Sequence, residues 1–98
     1  MFNIVAILEI KNAEAFEEFE SQAIAILRSH NGSLISAFEV ETSDSSSQGL
    51  REVHCIQFPT KEDFERYRID ADLVALSELR DKAIANTEVY ISTKQKSY

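Results

Sequence analysis

The chain is poor in the residues that staple small exported domains and in those that grip polyanions. It has one cysteine, Cys55, which excludes an internal disulfide, and its two histidines, His30 and His54, lack any ligand-type spacing with that thiol. No metal site is expected. Two glycines and one proline leave no glycine-rich loop to cradle phosphates, and there is no dinucleotide fingerprint, HExxH helix or serine elbow. The expectation is therefore no cofactor.

Basic residues are scarce as well: ten Lys and Arg stand against seventeen Asp and Glu, a net charge of -7. Binding to phosphates draws on clustered cations, so nucleic acid is not an expected partner. Long uncharged apolar runs are missing too. The opening "MFNIVAILEIK" has neither a basic leader region nor a small-residue cleavage site, and Glu9 and Lys11 interrupt it too early for a membrane span. It reads as a strand. An unpaired thiol without an export signal points to the cytoplasm.

What is present is the material of a small α and β domain, expected over residues 1–93, with a polar tail, "KQKSY", over 94–98. Residues 2 to 10 form a first strand, with Phe2, Ile4, Ala6, Leu8 and Ile10 on one parity and Val5 and Ile7 on the other. Asn12 is placed to cap a helix whose apolar side holds Phe16, Phe19, Ala23, Ile26, Leu27 and His30 at spacings of three and four. "HNG", 30–32, stops it, with Gly32 expected in the left-handed position.

A second strand, 33–41, leads through the serine-rich 42–49, read as a hairpin loop, to a third strand over 51–58. Pro59 ends that strand, Thr60 caps the next helix with Asp63 in the capping-box position, and Phe64 and Tyr67 mark its buried side. Asp70 is a second cap after a break near Ile69, and Leu73, Leu76, Leu79 and Ala83 carry an apolar stripe to about residue 85. "TEVYIST", 87–93, is the fourth strand.

The order β-α-β-β-α-β is that of the ferredoxin-like α+β fold: one antiparallel four-stranded sheet with the helices on one face. The other face is left bare. Strand parity offers two apolar sets, Ile4, Leu8, Leu34, Phe38, Val53, Val89 and Ile91 in one and Val5, Ile7, Ile35, Ile56, Phe58 and Tyr90 in the other. A monomer rarely exposes so large a patch, so a homodimer with its sheets packed face to face is expected.

From Phe58-Pro59-Thr60 through the acidic helix start, Tyr67, Asp70, Asp72, Leu76 and Arg80, the chain resembles a group of unknown function within the dimeric α/β-barrel superfamily, which also includes YciI-like and antibiotic-biosynthesis monooxygenase-like proteins. The resemblance covers roughly residues 51 to 85. It implies a ferredoxin-like protomer, a homodimer, and a small-molecule cavity between sheet and helices.

Four residues are candidates for chemistry. His54 shares a parity with Ile56 and Phe58 and is either a general acid or base in a half-buried cleft or a core histidine. Cys55 points the other way, so the pair does not form a Cys-His nucleophile. Arg80 either holds a substrate carboxylate bidentately or pairs with Glu78, Asp81 or a partner chain. Arg51 has the same two readings, and Tyr67 either donates its phenol at a pocket mouth or is core.

The resulting expectation is a small-molecule binding or transforming protein, with a purely structural association module and a haem-binding or cofactor-free monooxygenase-like enzyme as alternatives. Haem would need His30 or His54 facing an open cavity as axial ligand.

Overall fold

A computed structural model describes residues 1–41 and 50–98. Within them the order is β1 (Phe2–Ile10), α1 (Ala13–Ser29), β2 (Ser33–Val40), β3 (Leu50–Phe58), α2 (Lys61–Arg68), α3 (Ala71–Val74), α4 (Ser77–Ala83) and β4 (Ile84–Ile91). The strands form one antiparallel sheet in the order β2-β3-β1-β4, which is the ferredoxin-like arrangement. The stretch 42–49, expected as a hairpin loop, lies outside the described residues.

Local chemistry explains the element boundaries. The Asn12 side chain accepts from the Ala15 backbone N–H at 2.9 Å and starts α1. The helix ends in a Schellman motif, with Asn31 N–H on the Arg28 carbonyl and Gly32 N–H on the Leu27 carbonyl. The left-handed residue is Asn31, at φ 66°, and not Gly32 as the sequence suggested. Gly32 is needed for room: a Cβ there would come within 2.7 Å of Leu27 and of Phe58.

Thr60 caps α2 by accepting from Asp63 N–H at 3.1 Å, while its hydroxyl donates to the Asp63 carboxylate. Asp70 caps α3 through the Asp72 N–H at 2.8 Å. The second helical segment is thus broken twice, after Arg68 and again at Ala75–Leu76. β4 begins at Ile84, three residues earlier than expected, because Ile84 is buried opposite Ile10 and the Ala83 carbonyl is held by the N–H groups of Lys11 and Asn12. A helix over 84–86 would have taken Ile84 off the sheet.

Register fixes the two faces. Rows running across β3, β1 and β4, such as Ile56–Ile4–Ile91, His54–Ala6–Val89 and Glu52–Leu8–Thr87, face the helices. Val53, Cys55, Val5, Ile7 and Tyr90 face away. This regroups the two apolar sets read from the sequence: Ile56 and Phe58 join Ile4 and Leu8, whereas Val53 and Phe38 lie on the open face. Phe38 changes sides because β2 carries a register shift between Leu34 and Ser36, so Leu34 pairs with Ile56 but Phe38 with Val53.

The core under the helices has two parts. Ala6, Leu8, Ile10, Phe16, Phe19, Ala83 and Ile84 pack at one end. Ile4, Leu27, Phe58 and Phe64 pack at the other, where Phe58 is fully buried with Phe64 and Tyr67 against it, ring centroids 5.6 and 5.7 Å away.

Candidate functional site

Between the two parts of this core the helices stand off the sheet and leave a cavity of about 690 Å³, within the usual size of small-molecule sites. Its walls are mostly aliphatic and aromatic, with Ile4, Leu8, Ile56, Phe19, Leu73 and Val89 among them. Val89 and Ile91, on its floor at the edge strand β4, keep 52% and 44% of their surface exposed, so the cavity opens along that edge.

Polar groups enter from three sides. His54, 3% exposed, lies on the floor with its ring edge-on to Phe16, centroids 6.3 Å apart. Its Nε2 is 3.0 Å from Glu52 Oε1 on the same strand and its Nδ1 is 3.5 Å from Glu20 Oε1 on α1. Burial raises the Glu20 carboxyl above its ordinary range; the nearby His54 opposes that rise and the Glu52 charge adds to it.

Tyr67 enters from α2. Burial pushes its phenol up to about 12, with the Glu20 charge adding to the rise and Arg80 opposing it, so the hydroxyl stays protonated and able to donate at neutral pH. Arg80 reaches in from α4 at the rim, its Nη2 donating to Thr87 Oγ1 at 2.8 Å. Of the two roles left open for Arg80 in the sequence, pairing with Glu78 or Asp81 gives way to this bond.

Three of the four residues singled out from the sequence, His54, Tyr67 and Arg80, therefore line one cavity. Arg51 does not. It pairs with Glu9 and Val40, one residue out of phase with Glu52, and so lies on the open face of the sheet. Glu20 and Glu52 were passed over in the sequence although each carries a signal. Glu20 falls among Phe16, Phe19, Ala23 and Leu27 on the apolar side of its helix, and Glu52 shares the parity of His54.

Haem fits these histidines poorly. Both ring nitrogens of His54 face carboxylates, and His30 Nε2 is held by Asp70 Oδ2 at 2.6 Å. Among the described residues, no group of three or more His, Cys, Asp or Glu side chains is arranged to hold a metal ion. No helix among them is long and apolar enough to cross a membrane.

No protein-family model and no curated protein matches the chain. Solved structures do. A protein of unknown function from Rhodopseudomonas palustris, RPA0582, superposes with a TM-score of 0.80 at 10% identity, over 98% of this chain and 83% of that one. The chain has the ferredoxin-like fold of these proteins. An uncharacterized NIPSNAP domain protein from Burkholderia xenovorans gives 0.70 at 11% identity over 97% and 95% of the two chains. SnoaB, a cofactor-independent oxygenase from Streptomyces nogalater, gives 0.66 at 10% identity over 98% and 94%. Identities this low speak for the fold alone. The fold implied by the resemblance in residues 51–85 is thereby matched along nearly the whole chain.

Proposed function

We propose that this protein binds, and transforms by acid–base chemistry, a small and mainly apolar molecule in the cavity between its sheet and helices. The observation that carries this reading is convergence: a histidine flanked by two carboxylates, a phenol and a guanidinium project into one apolar space of about 690 Å³. A merely structural domain of this size gains nothing by leaving such a space unfilled, since interiors otherwise pack to crystal density.

The working unit in this reading is a homodimer. The open face of the sheet carries Val5, Phe38 and Tyr90, each exposed by 36% or more, beside Ile7, Val53 and Cys55, which favours a second copy packed sheet to sheet. Light scattering over a dilution series reads the oligomer, and a thermal-shift screen against neutral ketones, phenols and small carboxylates reads the cavity. A dimer stabilised by one of these classes supports the proposal, because a ligand at a hundred times its Kd adds about 2.7 kcal/mol. Indifference to all of them favours the association module.

A further inference from the structure

We propose that Glu20 is the group that exchanges a proton with the substrate, that His54 and Glu52 position it from behind, and that the substrate is an uncharged, apolar carbonyl compound with an acidic C–H beside the carbonyl. The inference rests on the cavity reading above and assigns its chemistry.

The geometry of the histidine comes first. A neutral imidazole has one N–H, yet both nitrogens of His54 lie against carboxylate oxygens, at 3.0 and 3.5 Å. The ring thus bridges the two carboxylates, hydrogen-bonded to Glu52 and close to Glu20, so the three groups form one acid–base cluster that carries negative charge. His54 has no free nitrogen to offer a ligand and is almost wholly buried. Each glutamate keeps about a fifth of its side chain exposed, but only Glu20 is part of the cavity wall. The proton of the cluster therefore meets the cavity at Glu20.

The far wall supplies the complement. Glu52 and Thr87 flank Leu8 in one row of the sheet, two strand spacings or about 10 Å apart, and Arg80 is fixed on Thr87. The guanidinium thus lies two strands across the sheet from Glu52, on the same apolar cavity as Glu20, and the protonated phenol of Tyr67 feels both Glu20 and Arg80. An anion beside Glu20 would be repelled by the charge of the cluster. Negative charge that develops on a carbonyl oxygen at the Arg80 end would be stabilised.

In the reaction, a Glu20 carboxylate oxygen takes the proton from the carbon next to the carbonyl, and the C–H bonding pair moves to form the enolate, whose oxygen faces Arg80. The new Glu20 acid then returns the proton to that carbon, or to the far end of a conjugated system, and the carboxylate is restored. No oxidant or cofactor enters.

The probe is 2-tetralone, a neutral bicyclic ketone, incubated with the protein in D2O while NMR follows deuterium uptake beside the carbonyl and saturation transfer reports binding. The expected result is uptake well above buffer, lowered about a hundredfold or more in Glu20→Gln, with the variant's melting curve showing it folded. Should that variant fail to fold, Glu52→Gln decides. His54 and Glu52 from β3 act on Glu20 directly, with Tyr67 from α2 and Arg80 from α4 lining the same cavity, and removing the Glu52 charge shifts the acid limb of the rate profile to lower pH. Binding of 2-tetralone with equal uptake in wild type and Glu20→Gln, or an acid limb unmoved by Glu52→Gln, overturns the inference and leaves the cavity reading standing. No binding of 2-tetralone overturns the inference, and with indifference to every class in the thermal-shift screen it removes the cavity reading too.

Discussion

Nε2 of His54 and Oε1 of Glu52, two residues apart on one strand, meet at 3.0 Å because both side chains leave β3 on the side of the helices. Glu20 closes the group from α1. Replacing the ring by a methyl leaves two partly buried carboxylates facing each other without a cation or donor. His54→Ala is expected to destabilise the fold by roughly 1–3 kcal/mol in chemical denaturation, and Glu20→Gln added to it is expected to recover part of that loss. A double variant less stable than the sum of the singles would contradict the cluster.

His30 and Asp70 tie the end of α1 to the break between α2 and α3. The hydrogen bond from His30, followed by the Asp72 N–H, lowers the Asp70 carboxyl below its ordinary value of 3.8. A depressed carboxyl contributes stability above its unfolded pKa, and the contribution disappears as pH falls through the folded value. Asp70→Asn should therefore flatten the acid limb of the stability curve below about pH 4. An acid limb identical to that of wild type would refute the link.

Tyr67 gives the corresponding alkaline signature. Its phenol is held up to about 12, so an absorbance titration should show a phenolate band that forms only as pH approaches that value. Since the Glu20 charge contributes to that rise, Glu20→Gln should bring the midpoint down, and removing Arg80 should push it up. The stability that goes with this raised phenol is present below pH 10 and is lost as pH climbs towards 12. A high-pH midpoint unmoved by Glu20→Gln and by loss of Arg80 would contradict the placement of Tyr67 over the cavity.

Gly32→Ala tests the turn after α1. Its Cβ would meet Leu27 and Phe58 at 2.7 Å, an overpacking expected to cost about 1–3 kcal/mol. Asn31→Gly, at the left-handed position, should be nearly neutral or slightly stabilising. Were Gly32 the left-handed residue instead, Asn31 would tolerate most substitutions.

Cys55 reports on the open face, where it pairs with Val5 and Ser36 and is half-buried. Its reaction with a thiol reagent should slow as protein concentration rises and dimers form. A rate independent of concentration, in a species of monomer mass, would contradict sheet-to-sheet association.

Much of this architecture is legible in the sequence because it is local. Caps at Asn12, Thr60 and Asp70, the stop at Pro59 and the alternation of β1 each rest on one or a few neighbouring residues. What escaped depends on contacts distant in sequence. The register shift at Leu34/Ser36 turns Phe38 to the open face without leaving a mark in the alternation, and the start of β4 at Ile84 depends on Ile10 and on the Ala83 carbonyl. The site divides along the same line. His54, Tyr67 and Arg80 stand out by residue type and spacing, but a glutamate on an acidic helix looks like solvated surface until its helix is laid over β3. Glu20 gains its meaning only from His54.

The most direct measurement is a methyl NMR titration of protein labelled at Ile, Leu and Val with 2-tetralone. Occupancy of the cavity should move the resonances of Ile4, Leu8, Ile56, Leu73 and Val89 together while leaving Val5 and Val53 on the opposite face unperturbed. Shifts confined to the open face, or none at ligand saturation, would contradict a binding site between sheet and helices.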